Sequence, residues 1–442
     1  MYNIILQGIE NPHEFEELIK VFLKPSEFSI QMTDGEKRDK YTVARELFLS
    51  LSEMTGKRPD WGVLTGVRPV KLAGDLMKSL KDREKAKQSL IACYLLSEEK
   101  ADLLLDIYAY QQQILEKPQE NTVGLYIGIP FCPTRCLYCS FPASQASESQ
   151  IQTYLHALSL EIEFVASSMK AEGITPESIY IGGGTPTTLD PKPLQALLEK
   201  TVTEFDLSTL KEFTVEAGRP DTITAEKLEV IRKAGASRIS INPQSMQGKT
   251  LDLIGRSHTP ENIKTAFWLA REIGISMINM DIIAGLPGEI QADFEDTLRQ
   301  VIELNPENIT VHTLATKRAS KLVEMDKNYH YKQGEIVRGM LEVCRKQLPE
   351  KGYRPYYLYR QKQMAGNFEN IGWCKEGSAG IYNIRIMEEA QTIIALGAGG
   401  ITKVYYPDEN RLERVPNVSN FEIYSERLDE MIQRKRNQCF HF

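Results

Sequence analysis

LYIGIPFCPTRCLYCSF, residues 125–141, runs from an alternating apolar segment straight into a loop that holds three of the chain's seven cysteines. The first six residues read as a strand ended by Pro130, and the cysteines follow at positions 132, 136 and 139. A structural zinc takes four protein ligands, so a trio is either an incomplete zinc site, needing His156 or His258 to complete it, or a site that leaves one metal position open. Three thiolates can each hold one iron of a four-iron cluster and leave the fourth iron to a small molecule.

Working outward from that loop, short apolar runs alternate with helix-length amphipathic segments. Strands are expected at 125–130, 178–183, 212–217, 238–244, 278–285 and 308–315, with IQTYLHALSLEIEFV as the first intervening helix. The repetition predicts an α/β fold, a partial (β/α)6 TIM-like barrel over residues 123–330, because the polar and glycine-rich segments follow the C-terminal ends of successive strands. Residues 1–120 read as an N-terminal α+β domain: EFEELIKVFL aligns Phe15, Leu18, Ile19, Phe22 and Leu23 on one face, and YTVARELFLSL aligns Val43, Leu47, Phe48 and Leu51. The polar run QQQILEKPQENT, residues 111–122, reads as a linker, and the aromatic-rich residues 331–442 as a C-terminal accessory module laid over the substrate.

Bulk properties narrow the function classes. The 442 residues carry 42% hydrophobic and 26% charged residues and a net charge of -7, which argues against non-specific nucleic-acid binding. Arg434-Lys435-Arg436 reads as a solvated helix end. No export signal and no stretch approaching a membrane span is visible, and an odd set of mostly isolated cysteines fits a reducing, cytoplasmic setting. GGGTP, residues 182–186, follows the second strand without a side chain for three positions, so its backbone is expected to approach a ligand closely and to offer N–H groups, with Gly183, Gly184 and Thr185 as contacts.

These residues also carry a resemblance. GIPFCPTRCLYCSF resembles the cluster loop of the radical S-adenosylmethionine enzymes, and LYIGIPFC, YIGGGTPT, FTVEAGRPD, RISINPQSM, LIGRSHT and NMDIIAGLPGE together resemble the oxygen-independent coproporphyrinogen III oxidases and their relatives. The N-terminal unit, NFENIGW and GIYNIRIMEEAQTIIALGAGG are similar to the Gram-positive branch called coproporphyrinogen dehydrogenase. The resemblance implies one [4Fe-4S] cluster on Cys132, Cys136 and Cys139, with S-adenosylmethionine on the open iron. It further implies that Glu216, Gln244, Arg256 and Asp281 contact the methionine and ribose groups, and that Tyr126, Tyr138 and Ala315 lie beside the sulfonium and adenine. The implied reaction is oxidative decarboxylation of coproporphyrinogen III propionates to vinyl groups, fed by a donor such as flavodoxin or ferredoxin. Arg68, Lys71, Arg318, Arg354 and Arg360 are candidates to pair with the substrate carboxylates.

One position departs from the oxidases. They carry a further cysteine two positions after the third, where this chain has Phe141, an ending shared with the related haem chaperones. Two alternatives therefore stand beside the decarboxylase. The first is a haem carrier with His258, His312 or Cys374 as iron ligand. The second is another radical enzyme acting on a tetrapyrrole, such as a methyltransferase.

Overall fold

The computed structural model describes residues 1–9, 11–66, 68–139, 144–316, 320–326 and 329–440. Each central strand alternates an outward aliphatic residue with an inward one, and each is followed by an amphipathic helix long enough to recross the sheet, so successive strands lie parallel. The strands are β1 (Tyr2–Gln7), β2 (Phe28–Thr33), β3 (Thr122–Ile129), β4 (Thr175–Gly183), β5 (Glu212–Glu216), β6 (Arg238–Ser240), β7 (Met277–Ala284), β8 (Asn308–Thr313), β9 (Arg354–Tyr359), β10 (Asn370–Cys374), β11 (Ile393–Leu396), β12 (Ile401–Tyr406) and β13 (Arg411–Pro416). All but the first two belong to one 11-stranded mixed sheet ordered β13-β12-β11-β3-β4-β5-β6-β7-β8-β10-β9. This is an α/β fold whose sheet is consistent with a partial barrel.

The six expected central strands are β3 to β8, parallel throughout. The expected strand 238–244 is regular only to Ser240; Ile241 N still donates to Asn279 O (2.9 Å), Pro243 has no N–H for the ladder, and Gln244 bridges to β7 again. The strands of the C-terminal segment continue the same sheet on both sides. β11 lies parallel beside β3, with Ile394 opposite Leu125, and β10 lies antiparallel beside β8.

Outward residues Leu125, Ile127, Ile181, Val215, Ile239 and Ile282 are fully buried beneath the helices. The inward positions are a different population: Tyr126, Tyr180, Glu216, Asn279, Asp281 and Thr310. In the N-terminal part, β1 and β2 pair in parallel across the helix His13–Phe22, whose Phe15, Leu18, Ile19 and Phe22 are buried as the pattern required.

Two polar readings are corrected by packing. The helix Glu98–Ile114 runs into the expected linker, and Gln111 is buried, donating from Nε2 to Tyr356 O at 2.9 Å. Lys435 is fully buried, not solvated. Its ammonium lies 2.8 Å from Glu161 of the helix Glu148–Ala171, and the same carboxylate accepts from Tyr424 Oη (2.6 Å), Asn417 Nδ2 (2.9 Å) and Gly397 N (2.7 Å). Gly397 has φ +87°, and a Cβ there would lie 2.5 Å from Tyr154 Oη and 2.6 Å from Gly128 O, so only glycine fits this clamp.

Because removing one partner of a buried pair strands the other charge, Lys435→Met is expected to destabilise the protein by about 3–5 kcal/mol, with most of the loss recovered in Lys435→Met/Glu161→Gln. Urea denaturation together with amide exchange of the helix Leu428–Cys439 measures this.

Candidate active site

The polar lumen and the cysteine loop meet at the C-terminal ends of the parallel strands, where fold geometry gathers functional groups. The loop leaves β3 through Phe131. It is tied down by Cys132 N donating to Ser144 O (3.1 Å) and Leu137 N to Ile254 O (3.0 Å). Cys132 Sγ lies 3.4 Å from Thr185 Oγ1, which brings the GGGTP segment against the first cysteine. Ser140 and Phe141, where the departure from the oxidases falls, lie outside the described residues, as does Arg318.

The three cysteines are in no disulfide among the described residues and sit on one loop, with Cys136 buried and Cys132 and Cys139 partly exposed. Burial pushes the Cys132 thiol up to about 11, so a metal would be needed to hold it as a thiolate at neutral pH. Positive charge is at hand: Arg219, almost fully buried, places Nη1 3.9 Å from Cys136 Sγ and donates to Thr134 Oγ1 at 2.7 Å. Among the described residues no three His, Cys, Asp or Glu side chains converge on one metal ion. A four-iron cluster asks for something else, one sulfur at each of three separate irons, and a single loop with three thiols suits that demand. His156 is exposed on the outer helix and His258 is buried with Nδ1 3.6 Å from Asp221, and neither joins the cysteines in a metal-ligand group among the described residues.

The glycine loop corrects one expectation. Gly183 N donates to Glu216 Oε2 (3.2 Å), Gly184 N to Ile129 O (2.8 Å) and Thr185 N to Phe131 O (2.7 Å), so all three N–H groups are used inside the protein. What the glycines provide is close approach: a Cβ on Gly184 would lie 2.5 Å from Phe131 O.

Two partly buried carboxylates face the lumen with opposite tuning. Glu216 accepts from Tyr180 Oη at 2.5 Å, yet burial, reinforced by Asp281, raises its pKa to about 7. Asp281 is held below the usual carboxylate range: against burial, the His312 ring at 3.5 Å and Asn279 Nδ2 at 2.7 Å stabilise its charge. His312 Nδ1 in turn meets Tyr359 Oη at 3.2 Å. Carboxyl groups driven apart in this way suit different tasks, one poised to meet a cation and one fixed as an acceptor.

The remaining expected contacts lie around this lumen. Gln244 has φ +66°, rare for a residue with a side chain, and its amide oxygen is buried without a hydrogen-bond partner. Arg256 donates to Asn242 O (2.6 Å) and Gly218 O (3.4 Å) and reaches Tyr138 Oη at 3.3 Å, so it braces the cysteine loop against the ends of β5 and β6. Ala315 follows β8 and bridges to Met364. Tyr126 stacks on Tyr180 (centroids 6.3 Å apart), which stacks on Tyr382 (4.6 Å). Tyr126, Gly183, Gly184 and Tyr382 wall a cavity of about 310 Å³. A second cleft, of about 660 Å³, lies between Trp61 and Phe368.

Among the residues considered for substrate carboxylates, two are misplaced. Arg354 pairs with Cys374, which pairs with Asn308 at the start of β8, so it lies at the opposite end of the sheet, and Cys374 with it. Arg360 is buried, donating hydrogen bonds to Leu64 O and Asn367 O beside the Trp61 ring. Arg68 pairs at 2.7 Å with Glu389, which precedes β11, and Lys71 reaches Asn410 at 3.1 Å. Sequence reasoning did not single out Arg219 or Tyr180. Arg219 stands inside the quoted GRPD segment and was within reach, whereas Tyr180 differs from an ordinary strand tyrosine only through Glu216 across the sheet.

Glu216 keeps its proton up to about pH 7 in the fold but loses it near 4.5 when unfolded, so stability falls as pH rises through that window. Glu216→Gln is therefore expected to match the wild-type Tm at pH 5 and exceed it by about 2–5 °C at pH 8, measured by thermal denaturation of the metal-free protein.

The model of the Radical SAM superfamily matches residues 126–301. The chain is 40% identical over 417 residues to the oxygen-independent coproporphyrinogen-III oxidase-like protein HemZ of Bacillus subtilis, covering 92% of this chain and 83% of that protein. It is 36% identical over 190 residues to the heme chaperone HemW of the same organism, covering 43% of this chain and 49% of the chaperone. The structure of coproporphyrinogen III oxidase (HemN) from Escherichia coli, itself described as a radical SAM enzyme, superposes with a TM-score of 0.57 at 22% identity over 73% of each chain, a likeness of fold. No helix among the described residues is long and apolar enough to cross a membrane. With the cysteine loop and the lumen at one end of the sheet, and likeness to HemZ along nearly the whole length, the chain belongs to the radical SAM superfamily and within it to the HemZ family of oxygen-independent coproporphyrinogen-III oxidase-like proteins.

Proposed function

We propose that this protein is a radical S-adenosylmethionine oxidoreductase of haem biosynthesis that converts propionate side chains of coproporphyrinogen III to vinyl groups without oxygen, giving protoporphyrinogen IX. The observation that carries this reading is the 40% identity to HemZ over 417 residues. Cys132, Cys136 and Cys139 would hold one [4Fe-4S] cluster, with S-adenosylmethionine bound at its open position. When bound, the two supply the electron transfer that yields a hydrogen-abstracting radical.

The chain's own residues bind, orient and exclude water. Glu216 receives the methionine ammonium, giving up its proton as the cation arrives. Asp281, held ionised beside His312, accepts from ribose hydroxyls together with the unpartnered Gln244 amide oxygen. Arg256 and Tyr138 brace the loop where adenine would lie, and the Ala315 backbone would touch it. Gly183, Gly184 and Thr185 leave room for the methionine moiety next to Cys132, with Tyr126 near the sulfonium. The tyrosine stack of Tyr126, Tyr180 and the buried Tyr382 helps to exclude water from the reacting centre. Flavodoxin or ferredoxin supplies the electron in the cytoplasm.

A second reading, a haem carrier, is favoured by the 36% identity to heme chaperone HemW. Of the three haem ligands considered, His312 alone faces the lumen.

Anaerobically reconstituted protein, reduced and followed by electron paramagnetic resonance with and without S-adenosylmethionine, then assayed with coproporphyrinogen III, tests the proposal. The expected result is a cluster signal that changes on adding S-adenosylmethionine, with carbon dioxide and protoporphyrinogen formed, and loss of signal and product in Cys136→Ala. A stoichiometric haem complex without decarboxylation replaces the proposal with the carrier reading, and a methylated product replaces it with a methyltransferase.

A further inference from the structure

The 310 Å³ cavity beside Gly183 and Gly184 is lined almost entirely by apolar groups, Tyr382, Ile386, Ile393 and Ile401 among them. Lys403 of β12 is the single charged residue among its described lining. The Lys403 ammonium lies 3.3 Å from Ile386 O and 3.9 Å from Glu389. Glu389 is also held by Arg68 at 2.7 Å and Arg414 at 3.3 Å. One carboxylate is thus shared by three cations, Lys403 and Arg414 paired across β12 and β13, and Arg68 from the N-terminal part of the chain.

Such a group differs from an ordinary structural ion pair, in which charges balance. Three cations against one anion leave a formal excess of two positive charges, and Lys403 and Arg68 hold it with side chains only 12% and 22% exposed. Arg68 Nε is buried with no hydrogen-bond partner. The strain shows on Lys403, whose pKa falls to about 8 through burial and the nearby Arg68, with Glu389 offsetting only part. An added carboxylate would relieve each of these costs. An apolar cavity with one cationic rim fits a ligand with an apolar body and a carboxylate arm.

We infer that Lys403 on the cavity wall, backed by Arg68 and Arg414 around Glu389, is a carboxylate-binding subsite that receives a propionate arm of the tetrapyrrole while its pyrrole edge lies in the cavity. The inference rests on the function proposed above and adds the residues that position the substrate. Because the cavity shares Tyr126 and Gly183 with the lumen end, a macrocycle anchored at this rim presents a different propionate toward the cysteine loop.

The test uses full-length, anaerobically reconstituted protein and coproporphyrin III, the stable fluorescent tetracarboxylate, as probe, with Kd from fluorescence titration. Lys403→Met is expected to raise Kd about tenfold or more, Lys403→Arg to stay within about threefold of wild type, and Arg414→Met to raise Kd about threefold or more, with cluster absorbance unchanged. Arg414 is 54% exposed, so its replacement leaves the core intact and decides the matter if Lys403→Met does not fold. A Kd within about twofold of wild type in the folded variants overturns the subsite while wild-type binding keeps the porphyrin reading. No binding of coproporphyrin III by the wild type overturns both.

Discussion

Burial of an aliphatic outer face against the helices decides where every other side chain of the parallel sheet must go. Strand periodicity is two, so once Leu125, Ile127, Ile181, Val215 and Ile239 are driven outward, Tyr126, Tyr180, Glu216 and Asp281 have no option but the lumen. Carboxylates in such a place are costly unless they are paired or neutralised. The lumen answers in both ways. Asp281 is ringed by His312 and Asn279 and stays charged, whereas Glu216 has only Tyr180 and Gly183 and tends to hold its proton. A site with one fixed acceptor and one carboxyl that ionises when a cation arrives suits a ligand with hydroxyl donors and an ammonium group, which is why the fold and the cofactor reading support one another.

The periphery is fastened by a different device. Buried ion pairs link segments remote in sequence: Glu161 with Lys435, Glu369 with Lys100, and Glu177 with Arg385. Pairs of this kind add little net stability but penalise any misplacement of the segment that carries them. They hold β11 beside β3 and the N-terminal helices beside β9 and β10, and so close the lumen with residues from both ends of the chain. The cation cluster around Glu389 belongs to the same periphery but is not balanced, which separates it from these fasteners.

Much of the central fold was legible. The six parallel strands, the amphipathic helices and the cysteine loop at a strand end all follow from local periodicity, and local patterns survive in the folded chain because packing reinforces them. The errors arose where a distant group changed the meaning of a local pattern. Lys435 lies in a basic triplet that looks solvated until Glu161 faces it. The N–H groups of Gly183, Gly184 and Thr185 look free until β3, the residues beyond it and Glu216 claim them. Arg354 and Arg360 look available until strand direction carries one to the far end of the sheet and burial against Trp61 removes the other.

Spacing and periodicity alone determined that three cysteines follow the first of a series of parallel strands, and that the glycine loop and the acidic candidates fall at later strand ends. Tertiary structure decided which carboxylate keeps its proton, which arginines brace the loop instead of meeting a ligand, and that β11 and β12 complete the wall of the cavity. The reason is physical: direction along a strand is encoded within a few residues, whereas desolvation and pairing depend on neighbours that only folding brings near.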